Sequence, residues 1–446
     1  MASIRILSAP TDATMNEVLP SRGARSARVR ARMLASGLVV VAGLAAIGLA
    51  VGQASVLPEV QVTPAGIPDF EFDSARDGNY CPACNGGDGN SRLVFSDNAN
   101  NLWVGHVDFQ TGAFLPADGH GTLLATNVTA ATDYGNGPEW LYSAAGSRIV
   151  YTQCAAPCDP PKGNTASLGM ATQVAGTWTT ATLPASTARV SPAATLDVTD
   201  TDPRINYVAG DKNAVYFRKA SAPGVEIEMP KVSALSNGNS RRWVSGTRKI
   251  IFQGHKADDE QLFRDQMYLY DTDDETLEQL TNHPEGTLGG MMWRAPEFNN
   301  EYVFFTMAKQ RKQILVYRKL PGADQVLRWT IVKTISAPAA LPFFFSPEVF
   351  VHNGRSYIFA EVSSAAAFFD RTVPNQLAIS GVDPLRPDSR LLTNDTGTPR
   401  LRLDPEYFIT AQGPFIYYNR LVPETASHPA INDGVWRVDT QLGPAR

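Results

Sequence analysis

A short repeated pattern constrains the fold of this chain more than any other feature of its sequence. Four clear copies share a Pro-Glu-apolar core that is followed by a β-rich run: Pro138-Glu-Trp140, Pro296-Glu-Phe298, Pro347-Glu-Val349 and Pro405-Glu-Tyr407. Degenerate copies begin at Pro82, Pro203 and Arg241, so that seven copies stand 38 to 65 residues apart. Self-similarity at such a period is typical of arrays built from one supersecondary unit.

Each unit is predicted to contain four short β-strands. Apolar runs of strand length alternate with turn residues such as Gly146 and Gly354, and residues 80–446 show no amphipathic helix pattern. Seven four-stranded units that close around an axis form a β-propeller. We therefore predict an all-β, seven-bladed β-propeller over residues 80–446, with six blades as the alternative.

The last unit lacks an obvious fourth strand. The chain ends within eight residues of its third apolar run, Gly434–Asp439, whereas a closed propeller leaves no open sheet edge. We therefore expect residues 58–79 to hold a linker and a strand that closes the last blade from the N-terminal side. Two segments qualify, Glu59-Val-Gln-Val62 and Phe70-Glu-Phe72.

Several segments of the repeat together carry a family pattern. They are Pro138-Glu-Trp140 with its glycine turn, Ile149-Val-Tyr-Thr152, Tyr268-Leu-Tyr-Asp271 and Glu278-Gln-Leu-Thr-Asn282. In these segments the chain distantly resembles the TolB-type, WD40-like propeller repeat, and the resemblance covers residues 80–446. It implies a propeller fold but no single activity, because the members of that family differ in function.

Residues 1–57 have the composition of an export signal. Residues 1–32 carry six arginines against Asp12 and Glu17, and residues 33–57 carry no charge and are rich in Ala, Gly, Leu and Val. This order is typical of a signal peptide or a signal-anchor helix, since the apolar run approaches the roughly 20 residues that span a bilayer. Both alternatives predict a secreted, periplasmic or cell-surface protein that meets the membrane only through an uncleaved N-terminal segment.

Four cysteines form two close pairs, Cys81 with Cys84 and Cys154 with Cys158. An even number of cysteines in an exported protein favours disulfides. A four-cysteine zinc site and a redox pair of the CxxC type are the alternatives.

The residue after each repeated proline is expected near the propeller axis, at a funnel mouth where the innermost strands begin. In blade order these residues are Ala83, Glu139, Arg204, Arg242, Glu297, Glu348 and Glu406. Carboxylates and guanidinium groups that converge at a concave mouth supply acid–base groups and anion clamps for a ligand. The alternative is a structural role, in which each glutamate bonds a neighbouring backbone N–H group or an arginine.

Two loop residues on the same face, His283 and Arg294, complete the ligand-binding candidates. The sequence contains no histidine pair at metal-binding spacing, no nucleophile elbow, no phosphate-binding glycine loop and no dinucleotide fingerprint. We therefore expect no cofactor, with an axial cation such as calcium as the alternative.

The charge distribution bears on the partners. The net charge of −5 combines +4 in residues 1–32 with −9 in the remainder. An acidic body argues against a nucleic-acid partner, because phosphate binding depends on clustered Lys and Arg. The sequence favours a binding or interaction module for a glycan or protein at the funnel face. The alternative is an extracellular polysaccharide-degrading hydrolase or lyase that uses the funnel carboxylates.

Overall fold

The computed structural model describes residues 58–64, 69–72, 91–128, 136–154, 166–174, 176–209, 214–256, 264–367, 370–386, 388–394 and 397–445. The predicted export segment, residues 1–57, lies outside these ranges. Within them, no helix has the length and apolar character needed to cross a membrane.

The described residues form seven antiparallel sheets, and each sheet is one blade. Blade 1 contains β2 (Asp69–Phe72), β3 (Ser91–Ser96) and β4 (Asn101–Val107), with β5 (Phe114–Leu115) and β6 (Thr122–Thr126) both paired to β4. Blade 2 contains β7 (Glu139–Leu141), β8 (Arg148–Gln153), β9 (Ser167–Val174) and β10 (Thr177–Leu183). Blade 3 contains β11 (Arg189–Ala194), β12 (Arg204–Ala209), β13 (Val215–Lys219) and β14 (Ile227–Glu228), and a short helix, α1 (Pro230–Ser233), follows it.

The other four blades follow the same order from inner to outer strand. Blade 4 contains β15 (Leu235–Trp243), β16 (Lys249–Lys256), β17 (Gln266–Asp271) and β18 (Leu277–Gln279). Blade 5 contains β19 (Thr287–Ala295), β20 (Glu301–Ala308), β21 (Gln313–Pro321) and β22 (Leu327–Ser336), with a 3-10 turn at Pro296–Phe298 after β19. Blade 6 contains β23 (Phe343–His352), β24 (Arg355–Ser363), β25 (Asn375–Gly381) and β26 (Arg390–Leu391). Blade 7 contains β27 (Leu401–Thr410), β28 (Gly413–Val422), β29 (Ile431–Asp439) and, outermost, β1 (Glu59–Thr63).

The innermost strands close into one ring. Strands β2, β7, β11, β15, β19, β23 and β27 contact one another in this order, and β27 contacts β2. The protein is therefore a seven-bladed β-propeller, as the repeat predicts, and the six-bladed alternative is wrong.

The hydrophobic core lies between neighbouring blades. One cluster joins Phe305 and Val316 of blade 5 to Phe344 and Ile358 of blade 6. Because side chains alternate between the two faces of a sheet, each blade contributes one apolar face to each neighbour. The blades thus pack around the axis without one shared centre.

The ring is closed by its N-terminal strand. Strand β1 pairs antiparallel with β29, and Glu59 stands opposite Val438. The prediction that the last blade is completed from residues 58–79 is confirmed, with Glu59–Val62 as the closing segment. The alternative segment, Phe70–Phe72, lies in β2, the innermost strand of blade 1, so the propeller begins before residue 80.

A buried ion pair fastens β1. The Glu59 carboxylate accepts hydrogen bonds from Nε and Nη2 of Arg402 at 2.7 and 2.8 Å, and also from the Tyr418 hydroxyl. The Arg402 side chain is completely buried, and its Nη1 donates to the Asn375 carbonyl at 2.7 Å. We call Glu59, Arg402 and Tyr418 the latch.

Candidate functional site

Backbone bulges in the innermost strands position the candidate site. In β23 the bulge contains Ser346 and Pro347, and in β27 it contains Asp404 and Pro405. Ser346 and Asp404 have φ of 43° and 55°, a left-handed conformation that non-glycine residues seldom adopt. Proline is tolerated at a bulge because no ladder hydrogen bond requires its missing N–H group.

Side chains of the preceding blade hold the bulge in β27 and two further bulges, in β11 between Val190 and Ala193 and in β19 between Leu288 and Gly290. The Ser191 N–H donates to Thr152 Oγ1 at 3.2 Å, and the Gly289 N–H donates to Gln253 Oε1 at 2.7 Å. In blade 7 the Asp404 N–H donates to Glu361 Oε1 at 3.3 Å. Each of these three acceptors lies on the second strand of the previous blade, so a neighbouring blade fixes each bulge, including the one that precedes Glu406.

Four glutamates and one arginine converge at the axis, and we call them the axial cluster. Its members are Glu71, Glu139, Arg242, Glu348 and Glu406, contributed by blades 1, 2, 4, 6 and 7. They lie within the innermost strands rather than at a funnel mouth.

Arg242 reaches across the axis. Its Nη1 lies 2.9 Å from Glu139 Oε1, although blade 3 stands between their two blades. At this register blade 3 carries Ala193, which follows a bulge of its own and is buried in the apolar cluster between blades 3 and 4. The guanidinium also experiences the charges of Glu348, Glu71 and Glu406, and its pKa rises chiefly because of Glu139.

The glutamates are poorly hydrated and repel one another. Burial raises the pKa of Glu348 to about 7, with Arg242 opposing the rise and Asp404 and Glu139 adding to it. Burial and the neighbouring Glu348 and Glu71 raise the pKa of Glu406 well above its ordinary value. Glu348 and Glu406 are nevertheless only half-buried, so solvent reaches part of each residue.

Glu348 and Glu406 form a carboxyl pair. The two side chains lie close enough for each to shift the pKa of the other, and of two carboxyl groups that share a site one has a raised pKa. Such a pair is both a proton donor and a proton acceptor. Glu139 also has a raised pKa because burial outweighs the opposing charge of Arg242.

A fifth carboxyl group supports the cluster from outside. Glu361 is buried, its Oε2 accepts a hydrogen bond from Asn375 at 2.8 Å, and burial raises its pKa to about 8. It also hydrogen-bonds the Ser346 side chain and the Asp404 N–H. Glu361 therefore connects the two bulges that precede Glu348 and Glu406.

The structure brings part of the predicted ring together and places the rest elsewhere. Glu139, Arg242, Glu348 and Glu406 meet at the axis, as the repeat predicts. Glu71 belongs with them, but sequence reasoning assigned the first unit to Cys81–Cys84, with Ala83 in the ring. That assignment is wrong, because β2 is the innermost strand of blade 1.

Arg204 is not an axial residue. It begins β12, the second strand of blade 3, because the innermost strand is β11. Its guanidinium is buried and bonds Thr272 Oγ1 at 2.5 Å and Asp273 at 2.6 Å, both in blade 4. Arg204 thus joins blades 3 and 4. It does so where β11 turns into β12, at the end of the blades opposite to the one where the innermost strands begin.

Glu297 is not an axial residue either. It lies in the 3-10 turn after β19, so its Pro-Glu motif marks a hairpin and not a strand interior. Its Oε2 accepts a hydrogen bond from the Ser356 hydroxyl at 2.9 Å, and its carboxylate also accepts from the Ser356 N–H. The structural alternative holds for this residue.

The two loop candidates lie apart from the axis. Arg294 is exposed near the end of β19, where its guanidinium stacks 4.3 Å from the Tyr302 ring. His283 lines an outer groove of about 1030 Å³ between the edges of blades 4 and 5, together with Tyr317 and Trp329. Neither contributes to the axial cluster.

The cysteine and cation predictions keep their alternatives. Cys154 is buried and is not a free thiol, but Cys81, Cys84 and Cys158 lie outside the described residues, and the pairing stays a prediction.

Among the described residues, no three His, Cys, Asp or Glu side chains are placed to hold a metal ion. The axial cation therefore gains no support from the geometry.

Comparison with known proteins agrees with the fold. The chain is similar to TolB from Acinetobacter baumannii (14% identity, 79% of this chain and 80% of that one, TM-score 0.35). It is also similar to the β-propeller domain of the trilobed protease from Pyrococcus furiosus (11% identity, 79% and 92%, TM-score 0.43) and to that of Cps50 (Swd1) from Myceliophteria thermophila (9% identity, 85% and 98%, TM-score 0.48). No protein-family model and no curated protein matches the sequence. The likeness concerns the propeller fold, and the blade count rests on the strand pairing.

Proposed function

We propose that the protein is an exported binding module whose axial cluster receives a positively charged group presented by a protein ligand. One observation carries this proposal: a single guanidinium, Arg242, pairs with Glu139 at 2.9 Å and lies close enough to Glu71, Glu348 and Glu406 to experience their charges. The carboxyl groups outnumber the arginine, so the cluster has acceptor capacity that Arg242 does not use.

The carboxyl pair supplies the binding chemistry. A ligand ammonium or guanidinium group that approaches Glu348 and Glu406 favours their ionised forms, because an opposite charge within about 4–6 Å lowers a carboxyl pKa. Binding would then release a proton that Glu348 or Glu406 retains because of its raised pKa. Attraction is stronger here than on the surface, because the surrounding protein lowers the effective dielectric constant.

A polysaccharide-degrading role gains little from this geometry. Glycoside hydrolysis needs two carboxyl groups about 5–5.5 Å apart for retention or about 6.5–9.5 Å apart for inversion. Glu348 lies close enough to Glu406 for its charge to raise the Glu406 pKa, and such closeness suits a shared positive charge better than a sugar placed between the two groups. The pair therefore favours binding over glycoside cleavage.

Export is part of the proposal because of the sequence alone. The arginine-rich segment 1–32 and the uncharged segment 33–57 support it. Cell fractionation and N-terminal sequencing of the mature protein test it. Recovery of the intact chain in the cytoplasm would contradict export and would leave the proposed site untouched.

Calorimetric titration with peptides tests the binding site. Peptides that contain lysine are compared with the same peptides carrying acetyl-lysine, and glucosamine oligomers are compared with their N-acetylated forms. We expect binding only of the charged peptides, and an affinity loss of at least about tenfold in the double variant Glu348→Gln, Glu406→Gln. The control variant Glu301→Gln removes a carboxylate from an exposed ion pair with Arg318 and should bind like the wild type. Equal affinity for charged and acetylated peptides would overturn the proposal, and preference for glucosamine would assign the site to a glycan.

A further inference from the structure

Strand β1 is held differently from the other outer strands. In the sequence, each of the other outer strands comes after the inner strands of its own blade. Strand β1 instead comes from the opposite end of the sequence and pairs with β29 across residues 59–63. Val60 and Gln61 of β1 are exposed to solvent. Backbone pairing and the latch, more than apolar burial along the strand, therefore hold β1 in place.

We infer that the outer edge of blade 7 is a strand-binding site, selective for an extended segment with a carboxylate opposite Val438, and that it binds residues 58–64 of this chain when they are supplied as a separate peptide. The edge strand β29 offers its backbone N–H and C=O groups to any added strand, which is the general basis of strand addition. Selectivity comes from the groups that surround the added strand.

Arg402 is the main selective group. Its side chain is completely buried, and its Nε and Nη2 both point to the Glu59 carboxylate. A planar guanidinium matches a carboxylate through two parallel hydrogen bonds. A strand without that carboxylate would leave a buried charge poorly compensated, which is costly. Tyr418 adds a third hydrogen bond to the same carboxylate.

Gly434 shapes the other end of the site. It has φ of 93°, and a Cβ atom at this position would lie 2.1 Å from the Thr63 carbonyl oxygen. The backbone of β1 can therefore approach β29 only because position 434 is glycine. The Gln61 side chain donates to the Asp433 carbonyl at 3.3 Å beside it, so the added strand is fixed at both ends.

The test uses the full chain with Glu59→Gln, in which the internal strand is weakened. Its partners are a fluorescent peptide of residues 58–64, Pro-Glu-Val-Gln-Val-Thr-Pro, and a matched peptide with glutamine in place of the glutamate. Fluorescence anisotropy is expected to show at least about tenfold tighter binding of the glutamate peptide, and hydrogen exchange at Val435–Val438 should become slower only with that peptide. Wild-type chain, whose site is already filled, should bind neither peptide.

Two results would overturn the inference. One is equal binding of the two peptides by the folded variant, and the other is unchanged hydrogen exchange in β29 of Glu59→Gln, which would show that the carboxylate does not hold the strand. If the variant does not fold, wild-type chain is refolded with each peptide in excess. Retention of the glutamate peptide alone would support the inference, and retention of neither or of both would contradict it.

Discussion

Two arginines in the interior of this propeller have opposite charge balances. Among the described residues, Arg402 of the latch donates two hydrogen bonds to the Glu59 carboxylate and a further one to the Asn375 carbonyl. Arg242 of the axial cluster contacts Glu139, while further glutamates surround it. In the latch one positive charge faces one negative charge, an arrangement that suits the structural role of holding β1 in place. The axial cluster holds an excess of carboxyl groups, and such an excess points to a ligand.

The two regions are connected by hydrogen bonds. Asn375 donates to both the Arg402 carbonyl and Glu361 Oε2, at 2.9 and 2.8 Å. Glu361 in turn accepts from the N–H of Asp404, two residues before Glu406. The balanced region therefore supports the backbone that presents the unbalanced one. The predictions below separate their roles.

The largest effect is expected at the latch. Glu59→Gln removes the counter-charge of a completely buried guanidinium, and breaking such a pair costs about 3 kcal/mol of unfolding free energy. Guanidinium chloride unfolding measures the loss. The control Glu301→Gln, in an exposed pair, should leave the midpoint unchanged. A Glu59→Gln midpoint equal to that of the wild type would show that the latch is not a fastening.

Gly434→Ala should destabilise the same blade by about 2 kcal/mol, because it adds a Cβ atom against the Thr63 carbonyl at a left-handed position. The same unfolding experiment measures it, and Gly354→Ala is the matched control, since its φ is also positive, 71°, but no atom lies near its Cβ position. An equal loss of unfolding free energy in the two variants would show that the effect comes from backbone strain alone and not from a clash between position 434 and β1.

Glu348→Gln should have a smaller effect of opposite sign at high pH. The Glu348 pKa is raised from 4.5 to about 7, so the folded state retains a proton that the unfolded chain releases. The stability that this proton contributes is complete below about pH 4.5 and is lost as the pH rises through about 7. Urea unfolding from pH 5 to 8 should therefore favour the variant over the wild type progressively. If the unfolding free energies of the wild type and the variant changed in parallel over this pH range, the raised pKa of Glu348 would be contradicted.

The smallest effect is expected for Glu297→Ala. The variant loses the hydrogen bonds from Ser356 and should cost about 1 kcal/mol of unfolding free energy. Peptide binding should match that of the wild type because Glu297 lies outside the axial cluster. A clear loss of peptide binding in calorimetry would show that Glu297 contributes to the binding site, and would contradict the assignment of that site to the axial cluster alone.

The repeat predicted the fold and the N-terminal closure, because strand runs and turns are local signals. It predicted the site only in part, since the same Pro-Glu letters serve two structural purposes. Pro347 and Pro405 precede their hairpin turns by six residues or more, and they lie in bulges within strands. Pro296 stands three residues before Asn299 and lies in the turn itself. The distance from proline to turn was the signal that would have excluded Glu297.

Other residues of the site are harder to identify from the sequence. Glu71 does not directly follow a proline, and it reaches the axis only because the chain passes from β1 in blade 7 to β2 in blade 1. The role of Glu361 depends on contacts across a blade boundary, which no local pattern contains. The pairing of Arg242 with Glu139 joins blade 4 to blade 2 across blade 3. Long-range packing, and not local propensity, decides these positions.

Titration of the axial carboxyl pair tests the central claim most directly. Side-chain carboxyl signals of ¹³C-labelled glutamate are followed by NMR from pH 3 to 10 in the wild type and in Glu348→Gln, with and without a lysine-containing peptide. We expect the Glu348 and Glu406 pair to show a macroscopic step near pH 7, in line with the raised Glu348 pKa of about 7, and we expect the peptide to move that step to lower pH. Titration of every glutamate near 4.5, unchanged by the peptide, would contradict an unbalanced, ligand-binding axis.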